Sequence, residues 1–122
     1  MVLGLGNDIL EIQRIREAIE THGDRFIHRL FTTREQEYCG KYTDSVPHYA
    51  ARFSAKEAIV KALGSGFGED ASWLDIEIIN DPQGKPEVFF SDKIKSRFNN
   101  PTVLVAISHS NHHVSTVAIR TK

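Results

Sequence analysis

The chain has little or nothing of several features that mark particular classes of protein. Only one of its 122 residues, Cys39, is a cysteine, which excludes an intramolecular disulfide framework and favours a reducing compartment. No apolar run is long enough to span a membrane, and the first residues lack the basic and apolar regions of a signal peptide. The net charge of −1 provides no basic field for nucleic acid. We therefore expect a cytoplasmic enzyme or binding module without membrane or nucleic-acid partners.

The residues that are abundant indicate a single globular domain. Hydrophobic residues make up 40% and charged residues 25% of the sequence, and a chain of 122 residues can enclose a core. The sequence contains no internal repeat, low-complexity segment or linker. It therefore predicts one domain over residues 1–122.

The longest predicted helix covers residues 50–64, and the rest of the chain is organised around it. At about 100° per residue, Ser54, Glu57 and Lys61 share one stripe, and alanines occupy the opposite side. Gly64 is the predicted C-terminal cap. A buried carboxylate at Glu57 would need a paired charge or a bound cation. From the helix alone, an ordinary ion pair with Lys61, four residues further on, is the simplest interpretation.

A strand predicted over residues 2–8 carries a second notable carboxylate. Gly4 and Gly6 share a strand face with Asp8, and their missing side chains leave room for a ligand or another backbone to approach closely. Because a helix is predicted directly afterwards, Asp8 could instead be only a helix N-cap. Both interpretations remain open at this level.

The helix predicted over residues 9–21 is amphipathic. Ile9, Ile12 and Ile15 belong to its apolar stripe, which we expect to face the core. Arg14 lies nearly opposite that stripe and is therefore expected to be exposed.

The remaining elements complete an α+β fold, with a mainly antiparallel sheet packed around the long central helix. Further helices are predicted at residues 25–30, 33–42 and 91–99, and strands at residues 73–79, 86–90, 103–108 and 114–119. Regular alternation of strands and helices is absent, which argues against a doubly wound parallel sheet.

Two carboxylates and several cations are candidates for phosphate chemistry. Asp8 and Glu57 suit a hard divalent cation such as Mg²⁺, which prefers carboxylate oxygens, water and substrate phosphates. The candidate partners for phosphate oxygens are Arg52, Lys56, Lys61 and His109. Carboxylates combined with cations are typical of phosphoryl-type transfer, where catalysis depends on positioning and charge stabilisation.

Other conspicuous residues receive simpler interpretations. The glycine-rich residues 64–68 follow a helix and lack the lysine ending of a nucleotide-binding loop, so a plain connector is favoured over a wall of a ligand site. The histidines at 112 and 113 are expected on an exposed hairpin, because no second cluster completes a zinc site. Cys39 has no activating neighbour and is predicted to be a small buried residue.

Taken together, these residues resemble the bacterial holo-acyl-carrier-protein synthases, the small branch of the 4′-phosphopantetheinyl transferases. The resemblance extends over nearly the whole chain. It is carried by five blocks, at residues 4–14, 31–39, 52–64, 84–86 and 107–110. The block around Arg52-Phe53-Ser54-Ala55-Lys56-Glu57-Ala58, combined with Asp8 near the N-terminus, is its most specific part.

The resemblance implies a reaction and a set of catalytic residues. The 4′-phosphopantetheine group of coenzyme A passes to a serine of apo-acyl carrier protein in fatty acid biosynthesis, and adenosine 3′,5′-bisphosphate leaves. Asp8 and Glu57 are implied to hold Mg²⁺, and Lys61 to stabilise the transferring phosphoryl group. The implied proton acceptor is either Glu57 or a metal-bound water.

The resemblance also implies binding partners. Arg52, Lys61, Pro86 and His109 match positions that contact the coenzyme, and Arg14 matches an arginine that docks the acyl carrier protein. The family forms homotrimers with shared active sites, so Arg52 could serve the site of a neighbouring subunit. The alternative functions are a non-catalytic module that binds coenzyme A or the carrier, and a metal-dependent phosphohydrolase.

Three features depart from the residues that are usual in the family. Asn7 occupies a position where an apolar residue is common, and Ser54 one where alanine is common. The last strand has Val114-Ser115-Thr116 where small apolar residues are usual.

Overall fold

The computed structural model describes all residues from Met1 to Lys122. The helices are α1 (Ile12–His22), α2 (Asp24–Leu30), α3 (Thr33–Gly40), α4 (Val46–Leu63) and α5 (Asp92–Arg97). The strands are β1 (Val2–Glu11), β2 (Ile76–Asn80), β3 (Pro86–Phe90), β4 (Thr102–His109) and β5 (His113–Thr121), and a 3₁₀ turn over Trp73–Asp75 precedes β2. None of the helices combines the length and the apolar character needed to cross a membrane.

The strands form two antiparallel sheets. One sheet has three strands in the order β1-β5-β4, and the other is the hairpin of β2 and β3. Helix α4 packs against β1 and β5, and its buried side chains join those of β2, α5 and β4 in one apolar core. The α+β fold with antiparallel strands around a long central helix is therefore confirmed.

Helix α4 is the central helix that the sequence predicts. Pro47 lies in its first turn, where a missing N–H does not interrupt the helix. Gly64 ends it with φ 83°, a left-handed conformation that glycine adopts without a steric penalty. The helix is buried over most of its surface because the sheet covers one side and α1 to α3 cover another.

The two N-terminal glycines explain how closely β1 approaches α4. A Cβ atom on Gly4 would lie 1.9 Å from the carbonyl oxygen of Ala62, and one on Gly6 would lie 1.8 Å from that of Ala58. Glycines on the strand and alanines on the helix therefore let the two backbones touch. The sequence predicts that a ligand or another backbone approaches these glycines closely, and in the structure it is the backbone of α4.

The boundaries predicted for β1 and β2 are wrong. Strand β1 continues to Glu11 because its residues keep pairing with β5, so Asp8 lies within a strand and is not a helix N-cap. Ile9 consequently points away from the core and is 71% exposed. Leu74 was expected in a half-buried strand, but it belongs to the 3₁₀ turn and is 49% exposed.

Candidate active site

Strand β1 and helix α4 bring Asp8 and Lys61 together. The Nζ atom of Lys61 lies 3.7 Å from Oδ1 of Asp8, whose side chain is only 16% exposed. The same ammonium donates a hydrogen bond of 2.9 Å to the backbone oxygen of Asn7. Lys61 therefore bridges from the helix to the strand.

Glu57 lies one turn before Lys61, and its carboxylate interacts electrostatically with that of Asp8. Burial raises the pKa of Glu57 above its ordinary value, and the negative charge of Asp8 raises it further, whereas Lys61 lowers it. Lys61 forms its ion pair with Asp8 and not with Glu57. The simple interpretation of an ordinary Glu57–Lys61 ion pair is therefore wrong.

The arrangement of Asp8 and Glu57 fits a divalent cation. Both residues are hard carboxylate donors, and the charge of Asp8 adds to burial in raising the pKa of Glu57, so the two carboxylates are close enough to repel each other. Nowhere in the chain do three or more His, Cys, Asp or Glu side chains gather into a metal-binding cluster. Two protein carboxylates with other positions left to water and phosphate oxygens are the donor set that Mg²⁺ commonly accepts.

Lys56 is not available to a phosphate. Its side chain is completely buried, and its ammonium donates hydrogen bonds to Glu35, Leu30 and Trp73. The sequence pattern placed Lys56 among the candidate phosphate ligands, and the structure contradicts this. The ion-pair partner of Lys56 is Glu35. The sequence does indicate where Glu35 lies, because Thr32 and Glu35 have the spacing of a capping box at the start of a helix, and the structure contains that capping box.

Arg52 lies on a different side of α4 from Glu57 and is only 3% exposed. Its guanidinium donates to the backbone oxygens of Ile78 and His48 and to Oδ1 of Asn80, at 3.0, 3.3 and 2.8 Å. These bonds tie α4 to β2. Within one chain, Arg52 therefore does not join Asp8, Glu57 and Lys61.

Pro86 and His109 lie on the Arg52 side of the molecule. Pro86 begins β3 and pairs with Asn80, the residue that accepts a hydrogen bond from Arg52. His109 is exposed at the end of β4, and its charge helps Arg52 and burial to lower the pKa of His48. The predicted coenzyme contacts thus form two groups, with Lys61 in one and the other three residues in the second.

Arg14 is exposed on α1, as the helical periodicity predicts, and its side chain makes no ion pair. One and two turns further along α1, Ala18 and His22 line a groove shared with α2. Its other lining residues are Arg25, Phe26, Arg29 and Leu30. An exposed surface that combines arginines with apolar side chains suits an acidic partner.

The three departures from the family pattern contact one another. The hydroxyl groups of Ser54 and Thr116 are hydrogen-bonded at 2.9 Å in a buried position between α4 and β5. The Nδ2 atom of Asn7 donates to the backbone oxygen of Thr116 at 3.2 Å. The polar groups of these residues therefore form hydrogen bonds with one another beside Asp8, and they do not add a reactive group.

The remaining conspicuous residues have structural roles. Cys39 is completely buried, and burial raises the pKa of its thiol to about 11, so it stays protonated at neutral pH. This confirms the prediction of a small buried residue. His112 and His113 are exposed at the turn between β4 and β5, also as predicted.

Comparisons with known proteins identify the family of this chain. Residues 4–117 match the family model of the 4′-phosphopantetheinyl transferase superfamily. The holo-[acyl-carrier-protein] synthase of Protochlamydia amoebophila is 49% identical over 119 residues, which cover 98% of both chains.

Solved structures give the same result. The crystal structure of the synthase from Neisseria meningitidis has a TM-score of 0.92 at 30% identity and covers 100% of both chains. The synthase from Helicobacter pylori, solved in complex with coenzyme A, has a TM-score of 0.86 at 30% identity, with 96% of this chain and 99% of that chain covered. The chain therefore belongs to the 4′-phosphopantetheinyl transferase superfamily, among the holo-[acyl-carrier-protein] synthases.

Proposed function

We propose that the protein transfers 4′-phosphopantetheine from coenzyme A to a serine of apo-acyl carrier protein. The serine oxygen attacks the β-phosphorus of the pyrophosphate, and the bond from that phosphorus to the bridging oxygen breaks. Adenosine 3′,5′-bisphosphate leaves, and the serine proton passes to Glu57 or to water. The convergence of Asp8, Glu57 and Lys61 in a member of this family is the observation that carries the proposal. Fatty acid biosynthesis in the cytoplasm is the process it would serve.

Asp8 and Glu57 are the residues that would hold Mg²⁺. The ion would supply neutralisation of the pyrophosphate charge. The raised pKa of Glu57 supports this assignment, because a bound cation would relieve the repulsion between the two carboxylates.

Lys61 is suited to stabilise the transferring phosphoryl group. Its ammonium contacts Asn7 and Asp8, but the side chain is still 52% exposed, so Lys61 remains accessible to a bound phosphate. A positioned cation at a developing phosphate charge is a common source of rate enhancement.

The separation of the coenzyme contacts supports a homotrimer with shared active sites. Arg52, Pro86 and His109 lie away from Glu57 in one chain, so a site that uses both groups needs a second subunit. The outer face of the three-stranded sheet is a suitable contact surface, because it exposes several large apolar side chains. These are Leu3, Leu5, Ile9, Leu104 and Val117, which are 51%, 64%, 71%, 53% and 37% exposed.

Coenzyme A would bind across such an interface. Arg52 is buried and its guanidinium is hydrogen-bonded to Ile78, His48 and Asn80, so the role we assign to it at the coenzyme site is to support Asn80 beside Pro86. His109 is exposed and would offer a hydrogen-bond donor to a phosphate. Arg14 would dock the acidic surface of the carrier on α1.

Mass spectrometry of apo-acyl carrier protein incubated with coenzyme A and Mg²⁺ tests the reaction directly. We expect the carrier to gain the mass of phosphopantetheine. Asp8→Asn and Glu57→Gln should abolish this gain while they preserve the circular dichroism spectrum. The control Asp92→Asn, at an exposed position of α5, should transfer normally. Binding of both substrates without turnover would support a non-catalytic module, and cleavage of coenzyme A without carrier would support a phosphohydrolase.

A further inference from the structure

Two charged side chains are completely buried outside the Asp8–Glu57–Lys61 group. Lys56 of α4 and Glu35 of α3 are both 0% exposed, and the distance from Nζ to Oε1 is 2.7 Å. Neither residue has a part in the transfer reaction proposed above. A buried ion pair is often no more stabilising than an apolar pair of the same volume, so stability alone does not explain it.

The ammonium of Lys56 joins three separate segments to α4. It donates to Oε1 of Glu35 in the first turn of α3, to the backbone oxygen of Leu30 at the end of α2, and to that of Trp73 in the 3₁₀ turn. The distances are 2.7, 2.7 and 3.0 Å. An ammonium has three hydrogen-bond donors and no acceptor. Each of the three hydrogen bonds of Lys56 therefore joins α4 to a different segment.

Glu35 extends this connection to β2. Its Oε1 atom also accepts a hydrogen bond from the backbone N–H of Thr32, and its Oε2 atom accepts one from the backbone N–H of Ile78. The two side chains therefore hold the start of α3, the 3₁₀ turn and β2 in one arrangement against α4. We call this pair, Glu35 and Lys56, the clasp.

Trp73 connects the clasp to the active site. Its backbone oxygen is held by Lys56, and its ring stacks on Phe53 at 4.7 Å between centroids and on Phe67 at 3.9 Å. Phe53 lies one turn before Glu57 on α4. Phe67 belongs to the glycine-rich residues 64–68, which follow the end of the helix that carries Lys61.

We propose that the clasp positions the active site through Trp73: it fixes the Trp73 ring, which holds Phe67 and so orders residues 64–68 beside Lys61. Lys56 and Glu35 are thus positioning residues that do not touch the substrate. The inference rests on the proposed transfer reaction. It also gives the glycine-rich segment a role as a wall of the site, the alternative that the sequence left open.

Trp73 is the only tryptophan of the chain, so its fluorescence reports the clasp directly. In the double variant Lys56→Met/Glu35→Gln, well below its melting temperature, we expect acrylamide to quench Trp73 about twofold more strongly than in the wild type. A kcat about tenfold lower is expected, with the KM values for carrier and coenzyme changed less than about twofold, because misplaced catalytic groups slow the chemical step. Unchanged quenching or an unchanged kcat in the folded double variant would overturn the proposal.

A second set of variants avoids the buried charges. Phe67→Ala removes the partly buried stacking partner of Trp73 and should lower kcat to a similar extent, whereas Phe67→Tyr should restore it. Phe89→Ala, an exposed aromatic residue on β3, serves as the matched control. If Phe67→Ala keeps the wild-type kcat, the proposal is wrong even where the double variant fails to fold. If the wild type transfers nothing, the proposed function fails, and the quenching of Trp73 in the double variant still decides whether the clasp holds the ring.

Discussion

Among single residues, Glu57 has an unfavourable position unless a cation is bound. Burial and the charge of Asp8 raise its pKa in the folded protein, so the unfolded chain loses this proton at a lower pH. Ionisation of Glu57 therefore opposes folding, and the free energy of unfolding falls as the pH rises from the ordinary pKa through the raised one. Below both pKa values Glu57 is protonated in the folded and in the unfolded chain, so it no longer lowers the free energy of unfolding.

Glu57→Gln removes that loss of stability. Without metal at pH 7, we expect the variant to melt about 1–3 °C above the wild type, a small gain because the carboxylate is partly screened by solvent. At pH 3.5 the difference should vanish. Added Mg²⁺ should raise the melting temperature of the wild type but not of the variant, as differential scanning fluorimetry can measure. Equal responses to Mg²⁺ would contradict the metal assignment.

The hydrogen bond between Ser54 and Thr116 is a second feature at this scale. Ser54→Ala or Thr116→Val alone leaves a buried hydroxyl without its partner, and each should cost about 1–2 kcal/mol in the free energy of unfolding. The double variant should cost little more than either single change, with a coupling of about 1 kcal/mol. Urea unfolding of the four proteins measures this cycle. Strictly additive losses would show that the two hydroxyl groups act independently.

At the scale of elements, the contact between β1 and α4 holds Asp8 next to Glu57 and Lys61. Gly6→Ala would place a Cβ atom 1.8 Å from the carbonyl oxygen of Ala58, and we expect a loss of about 3 kcal/mol in the free energy of unfolding. Gly68→Ala has no atom within 4 Å of its new Cβ and should change stability by less than about 0.5 kcal/mol. Urea unfolding compares the two variants, and equal effects would exclude backbone contact as the cause.

Most helices and strands could be predicted from the sequence. The errors occur where a strand pairs with a distant segment of the chain and this pairing overrides the local hydrophobic pattern. The isoleucines at 9, 12 and 15 have helical spacing, yet Ile9 belongs to β1 because its backbone pairs with Ser115 of β5. No local signal reveals that partner, which lies about a hundred residues away in the chain. The same reason explains Asp8, whose local sequence fits an N-cap but whose strand continues past it.

At the scale of the whole molecule, the exposed apolar face of the three-stranded sheet is the proposed contact surface of the homotrimer. Leu5→Lys places a charge in the middle of this face and should convert the proposed homotrimer to monomers, with transfer reduced at least about tenfold if sites are shared. Light scattering coupled to size-exclusion chromatography gives the mass. Leu74→Lys, exposed on the 3₁₀ turn, should remain trimeric. A trimeric Leu5→Lys variant would exclude this face as the interface.

Reversing a charge on α1 tests the proposed docking surface for the acyl carrier protein. Arg14→Glu should raise the KM for acyl carrier protein about tenfold and leave the KM for coenzyme A nearly unchanged, because an exposed arginine acts on encounter with an acidic partner. Lys95→Glu, on the exposed side of α5, is the control of equal charge change. Steady-state kinetics with each substrate varied separately provide both values. An equal rise in both KM values would argue against docking at Arg14.

The sequence by itself determined the α+β class, the central helix ending at Gly64, the exposure of Arg14 and the burial of Cys39, because helical periodicity, capping and composition are local properties. Only the tertiary structure decided which charges meet. Lys61 pairs with Asp8 across two elements, whereas Lys56, five residues earlier on the same helix, is buried with Glu35. Both lysines look alike in the sequence of α4. Contacts with β1 place Lys61 in the candidate active site, and contacts with α3 place Lys56 in the core.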